Sequence, residues 1–277
     1  MLGLSGYEII EKIYDGVRTV VYRGIRNRDQ QPIIVKIIKE EHPTLEQIAN
    51  IRQEFILTQN LDCTGIVKTY SLETYQNSFA LILEDFGGQS FYEFMAANRL
   101  SLIEFLKVAI ALSETLIYLH QVPIIHKDIK PSNIIINPQT RQVKLTDFSI
   151  ASRLELKNQT ISNPNLLEGT LAYMSPEQTG RMNRAIDYRA DFYSLGATFY
   201  EMLTNQLPFT TTDPMELVYC HIAKQPVPPK EIAEITQAVS DIVMKLLAKN
   251  AEDRYQSAAG LKFDLETCLQ QLQTTGK

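Results

Sequence analysis

The sequence is short of several features that define whole classes of protein. It has three cysteines in 277 residues, Cys63, Cys220 and Cys268, an odd and widely separated set. That excludes a disulfide framework and leaves no zinc-ligand spacing, so reduced thiols are expected. No apolar run approaches the roughly 18 residues that a membrane-spanning helix needs. The opening MLGLSGYEII carries neither a basic n-region nor a long apolar h-region. No signal peptide is therefore expected, and the cytoplasm is the expected compartment. Positive charge is not in excess: 27 Lys and Arg stand against 32 Asp and Glu, a net charge of −5. Nucleic acid wants a basic face to neutralise its phosphates, so it is not an expected partner. Internal repeats and low-complexity linkers are missing too. What remains is 44% hydrophobic and 21% charged, in a chain long enough for one large domain or two small lobes with cores.

The first third reads mainly as strands. Residues 7–13, 18–25 and 32–38 are rich in β-branched side chains and bounded by turn residues. A helix is predicted over 44–60, with Thr44 as N-cap and Gln47 three residues on. Two more strands are predicted near 66–72 and 79–85, and Gly87-Gly88 then breaks the pattern. After Gly88 the period becomes helical. Residues 101–120 place apolar side chains at 102, 105, 106, 109, 112 and 116, one buried face, with Ser101 and Glu104 as a capping box. Helices are also predicted over 187–204, 213–224, 234–248 and 257–273. Asp213, Pro214 and Glu216 supply the second of these with an N-cap, a Pro at N1 and an acidic N3.

One stretch carries the chemistry. IIHKDIKPSNIII, residues 124–136, is followed by LTDFS, residues 145–149. It sets Asp128, Lys130, Asn133 and Asp147 in order. Phosphoryl transfer from ATP needs a carboxylate to accept a hydroxyl proton and a cation to offset charge on the transferred group. It also needs an amide oxygen and a second carboxylate to hold magnesium.

These motifs resemble the catalytic and metal loops of eukaryotic-type protein kinases. Pro131 and Ser132 after Lys130 resemble the Ser/Thr kinases and not the tyrosine kinases. The resemblance implies an α+β, bilobal protein kinase-like fold. A β-rich N-lobe with one helix would cover residues 1–86, and a mainly helical C-lobe residues 87–277. It implies ATP with Mg²⁺, or Mn²⁺ as the alternative ion, and a protein substrate with a Ser or Thr acceptor. Asp128 would be the catalytic base, Lys130 would neutralise the γ-phosphate, and Asn133 and Asp147 would hold the metal. His126 would be a packing residue below the metal loop. Lys36, in IIVK, would contact the α- and β-phosphates and pair with Glu54. LILEDFGG, residues 81–88, resembles the hinge, with Leu83 as gatekeeper and the Glu84 carbonyl and Phe86 amide meeting the adenine edge. Ile13, Gly16, Val21, Ile34 and Ile135 complete the implied ATP-binding set. EGTLAYMSPEQ, residues 168–178, resembles the end of an activation segment. There Thr170 would touch Asp128 and Lys130, and Glu177 would pair with Arg254. Asp191 would bind catalytic-loop amides.

The departures are specific. Tyr14 and Thr19 occupy the first and third Gly positions of the phosphate loop, so IYDGVRTVV taken alone also reads as a hairpin turn at Asp15-Gly16. Ile34 replaces the usual Ala, and Ser149 replaces a Gly that eases a conformational switch. Lys127 replaces an Arg that commonly docks an activation-loop phosphate; Lys keeps the charge and loses the fork. Weak dependence on phosphorylation at Thr160 and Ser162 is therefore expected. The departures support a rival, a pseudokinase acting as a nucleotide-binding scaffold. Against it stand Lys36, Glu54, Asp128, Asn133 and Asp147, all present. Finally, residues 169–209, with DPMELVYCHIAKQPVPP after them, resemble a bacterial group common in cyanobacteria. There a Ser/Thr kinase domain opens a very large signalling protein, and an ATPase-like region, a GAF sensor and a histidine kinase follow. On that resemblance these 277 residues are an isolated first domain.

Overall fold

The structure, a computed structural model, describes residues 3–153, 171–182 and 184–275. The N-terminal part is one antiparallel sheet. Its strands are β1 (Tyr7–Asp15), β2 (Thr19–Arg26), β3 (Gln31–Ile38), β4 (Thr69–Tyr75) and β5 (Ser78–Glu84), in the order β1-β2-β3-β5-β4. The period of two sorts β3 cleanly. Ile33, Val35 and Ile37 join Val20, Ala80 and Ile82 in a core on one face. Ile34, Lys36 and Ile38 take the other face, which also carries Leu81 and Leu83. Helix α1 (Leu45–Thr58) covers that second face. Thr44 caps it, with Gln47 closing the box, and Ile51, Glu54 and Leu57 form its buried side. Lys36 and Glu54 thus point into the same space because a strand and a helix each bury one face there.

The remaining elements are helical apart from short strands. They are β6 (Gln89–Ser90), α2 (Phe91–Ala97), α3 (Leu102–Gln121), β7 (Ile124–Ile125), β8 (Ile134–Ile136), β9 (Val143–Leu145) and β10 (Ser152–Arg153). Then come α4 (Arg189–Thr204), α5 (Pro214–Ala223), α6 (Gln237–Leu246) and α7 (Ala258–Thr275). The Ser101–Glu104 box starts α3, and Asp213 caps α5 by accepting from the amides of Met215 and Glu216, both at 2.8 Å. Helix α3 is buried more widely than one face, because it packs on both α4 and α7. Helix α4 is buried nearly all round and forms the centre of the C-terminal core.

Two sequence expectations shift. The strand predicted over 66–72 begins at Thr69 instead. Ile66 and Val67 leave the sheet and pair with Leu145, whose carbonyl accepts from the Val67 amide at 2.9 Å. Their β-branched run is extended, as predicted, but serves as a tie between the two parts of the molecule. Helix α2 was not anticipated. Its signal is Ser90, which accepts from the Glu93 amide, ahead of a buried Phe91 and Phe94.

One buried histidine makes the core sensitive to acid. His221 on α5 is buried, packed edge-on against Tyr193 and Phe209, with Nδ1 2.9 Å from the Tyr193 hydroxyl. Burial, aided by the nearby Lys249 charge, lowers its pKa from 6.5 to about 4. The unfolded chain therefore binds more protons between these values, and stability falls as pH drops from 6.5 towards 4. The loss is about 2–3 kcal/mol. His221→Gln should flatten the fall in Tm over that interval. Parallel Tm–pH profiles for the two proteins would refute this.

Candidate active site

Three distant segments meet at Lys36. Its Nζ lies 2.8 and 3.1 Å from the two Glu54 oxygens and 2.9 Å from Asp147 Oδ1. Burial works against the Lys36 charge, but Asp147 and Glu54 outweigh it and raise the pKa. Burial likewise opposes ionisation of Asp147, and Lys36 overcomes it, holding the carboxyl below the usual range. Glu54 is pushed upward by burial, against the pull of Lys36; its Oε1 also accepts from the Phe148 amide at 3.3 Å.

The loops after β7 and β9 each carry strained backbone. Lys127 and Asp147 both lie in the left-handed region, at φ 67° and 63°, which is costly for residues with a Cβ. Buried contacts hold the first in place. Asp191, at the start of α4, accepts from the His126 and Lys127 amides at 2.9 and 2.8 Å. Gln178 donates to the Lys127 carbonyl at 2.9 Å. His126 lies between the two loops: Nδ1 accepts from the Asp128 amide, so Nε2 carries the proton donated to the Thr146 carbonyl, 3.1 Å away. Its ring packs on Phe148 with centroids 4.6 Å apart.

Asp128 is buried. Its Oδ2 accepts from Lys130 Nζ at 2.7 Å and from Asn133 Nδ2 at 2.8 Å. Its Oδ1 has no hydrogen-bond partner among the described residues. Asn133 Nδ2 also donates to the Asp128 carbonyl at 2.9 Å, which leaves the amide oxygen for another ligand. That oxygen and the Asp147 carboxylate are hard donors, suited to magnesium. Among the described residues no cluster of three or more His, Cys, Asp or Glu could hold a metal alone. An ion here would draw further oxygens from phosphate and water, as magnesium does.

Ile34, Leu83, Phe86 and Ile135 share one apolar cluster, with Ile34 directly opposite Leu83 across β3 and β5. Val21 lies opposite Lys36 across β2 and β3. Ile13 is half-buried on β1, and Gly16 closes the turn to β2, its amide 2.9 Å from the Thr19 carbonyl. The segment after Glu84 runs so close to β8 that a Cβ on Gly88 would sit 2.4 Å from Ile135 Cγ2, so only glycine fits. The Glu84 side chain is drawn to Lys144 at 2.6 Å, and Asn137 Nδ2 donates to the Phe86 carbonyl at 2.6 Å. Farther off, Arg254 and Glu177 form a buried two-pronged pair at 2.7 and 2.9 Å. Thr160, Ser162 and Thr170 lie outside the described residues.

A sequence model of the protein kinase domain matches residues 7–265. The chain belongs to the protein kinase domain family. Its β-sheet N-terminal part and helical C-terminal part are the α+β bilobal kinase fold. The chain is 30% identical over 263 residues to a probable serine/threonine-protein kinase of Clostridium perfringens, covering 94% of this chain and 38% of that protein. It is 31% identical over 272 residues to a probable serine/threonine-protein kinase of Streptomyces coelicolor, covering 95% and 40%. Over 153 residues it is 41% identical to the serine/threonine-protein kinase PknB of Mycobacterium tuberculosis, covering 55% of this chain and 24% of that one. The kinase domain thus spans about two fifths of the length of the first two relatives. Among the described residues no helix is long and apolar enough to cross a membrane.

Sequence reading missed several residues that shape this kinase site. Lys144 and Arg23 each place a charge in an apolar strand, and that contrast was the available signal. Gln178 gave none, since its link to the Lys127 carbonyl depends on a loop approach 51 residues away.

Proposed function

We propose that this kinase domain transfers the γ-phosphoryl group of Mg-ATP to Ser or Thr hydroxyls of proteins in bacterial signalling. The observation that carries the reading is the contact of Lys36 with both Glu54 and Asp147. These residues are 18 and 111 positions away, yet both carboxylates lie within 3.1 Å of Lys36 Nζ. A protein that had lost the chemistry would have little reason to retain three clustered charges, two of them buried, in one place. The names of the relatives, serine/threonine-protein kinases, agree with it.

Bound Mg-ATP supplies the transferable phosphoryl group and a metal charge that offsets the phosphates. The chain's own residues position and shield. Lys36, held charged, takes the α- and β-phosphates. Asp147 and the Asn133 amide oxygen hold the ion. Asp128 orients the acceptor hydroxyl at Oδ1 and receives its proton there, since Oδ2 is already engaged by Lys130 and Asn133. Lys130 lies where it offsets charge on the transferred group. Ile34 and Ile135 enclose the adenine, beside Leu83 and the Glu84–Phe86 hinge. Thr170 is the residue we assign to selecting Ser or Thr acceptors. Phosphoamino-acid analysis of a labelled acceptor protein tests this: phosphoserine or phosphothreonine is expected, and phosphotyrosine alone would refute it.

Regulation departs from the usual scheme in this proposal. Lys127 is buried, and burial lowers its amine to about 8, with Asp191 acting in the opposite sense. A buried amine without a fork is a poorer phosphate dock than a guanidinium. Alanine at both Thr160 and Ser162 should leave most of the activity in a phosphoryl-transfer assay; loss of activity would refute that. We place the domain in the cytoplasm, at the head of a longer protein of the cyanobacterial type with sensor and histidine-kinase regions behind it.

A further inference from the structure

We propose that Arg23 is a positioning residue for the nucleotide. With Asp85 it forms a strut that sets the gap between the roof strand and the hinge. Cross-strand register puts Arg23 opposite Ile34, and Val21 opposite Lys36. Antiparallel partners share a face, so Arg23 projects from β2 on the side that carries Val21, Ile34 and Lys36. From there its side chain reaches down to the hinge. Nε donates to Asp85 Oδ2 at 2.7 Å and Nη2 to the Gly88 carbonyl at 3.3 Å. Nη1 turns back to Glu11 on β1, 2.7 Å away. One planar guanidinium therefore joins β1, β2 and the hinge, a task that needs its fixed fork.

The hinge end is the stiff one. The Asp85 side chain is only 6% exposed, and its second oxygen holds the Gly87 amide at 2.8 Å, where the chain turns through φ 71°. The Phe86 carbonyl is bound by Asn137, and the Glu84 side chain by Lys144. The hinge is thus tied to the C-terminal lobe by its own contacts. The β1–β2 roof is less well held. The pairing of β1 with β2 slips twice, between Ile9 and Glu11 and between Lys12 and Tyr14. The strut joins a stiff base to an irregular roof. Asp85 left without Arg23 would keep a poorly hydrated charge at the hinge, and the roof would lose its stop.

The effect belongs to nucleotide binding and not to the chemistry at Asp128. Arg23→Met is expected to weaken binding of a fluorescent ATP analogue by about 3–10-fold, through loss of a preset gap. KM for ATP should rise in step, with kcat within about two-fold of wild type. Asp85→Asn should weaken binding in the same direction. The double variant should be no weaker than Arg23→Met alone, because both changes remove one interaction. Arg23→Lys should recover part of the loss. Unchanged binding in Arg23→Met, or single losses that add in the double variant, would overturn the proposal. Should Arg23→Met fail to fold, Asp85→Asn decides alone: weaker binding upholds the strut, and wild-type binding overturns it. The proposal rests on the kinase reading only through the nucleotide. A wild-type chain that binds the analogue but transfers no phosphoryl group overturns the kinase reading and leaves the strut in place. One that binds no nucleotide overturns both.

Discussion

Asp128→Ala is expected to lower turnover by about two to four orders of magnitude while leaving nucleotide affinity within about two-fold. The split follows from where the side chain sits. Asp128 contacts Lys130 and Asn133 through one oxygen, and the other is buried without a hydrogen-bond partner among the described residues. Lys36 touches Glu54 and Asp147, and no contact links it to Asp128. In the proposed roles, removing the Asp128 carboxylate removes orientation of the acceptor and the proton's destination, and leaves the Lys36 pairing with Glu54 and Asp147 in place. Steady-state kinetics with a protein acceptor, together with titration of an ATP analogue, separate the two effects. A fall in affinity as large as the fall in turnover would mean that Asp128 serves the nucleotide.

The largest effect on stability is expected at Arg254. Its guanidinium is buried, and all five N–H donors are engaged. Two meet the Glu177 oxygens, and the others meet the carbonyls of Ala248, Arg189 and Lys249 at 2.8, 2.9 and 3.1 Å. Arg254→Met strands a buried Glu177 charge and leaves three carbonyls short of a donor. A cost of about 3–5 kcal/mol is expected, which for a chain of this size lowers Tm by roughly 10 °C. Arg254→Lys should recover little, since an ammonium cannot supply that fork. Thermal unfolding of both variants checks this. A fall of less than about 3 °C for Arg254→Met would contradict it. The same pair anchors residues 176–179 to the C-terminal lobe, so activity should drop at temperatures where the fold still holds.

The parts of this structure that could be read in advance share a physical property: their signals are local. Thr44 with Gln47, Ser101 with Glu104 and Asp213 with Pro214 announce helix starts because a cap needs only its own first turn. The β-branched run Ile33–Ile38 announces a strand, and the structure's period of two then puts Lys36 on the face away from Ile33 and Val35. The order of Asp128, Lys130, Asn133 and Asp147 is also local, and it marked the centre of the site. What could not be read depends on approach between distant segments. Nothing around Ile66 says that it pairs with Leu145 and not with β5. The left-handed backbone at Lys127 comes from Asp191 and Gln178, more than 50 residues on. The Arg23–Asp85 strut joins residues 62 positions apart. Glu84 illustrates the same limit: the resemblance placed its backbone against the adenine, but its side chain turns to Lys144.

The central claim is that this chain transfers a phosphoryl group, and one assay meets it directly. The purified chain is incubated with labelled ATP, Mg²⁺ and a generic acceptor protein, beside the Asp147→Ala variant. Label on the acceptor with wild type and none with the variant is the predicted result. Nucleotide bound by the wild type with no label transferred would contradict the claim and identify the domain as a scaffold.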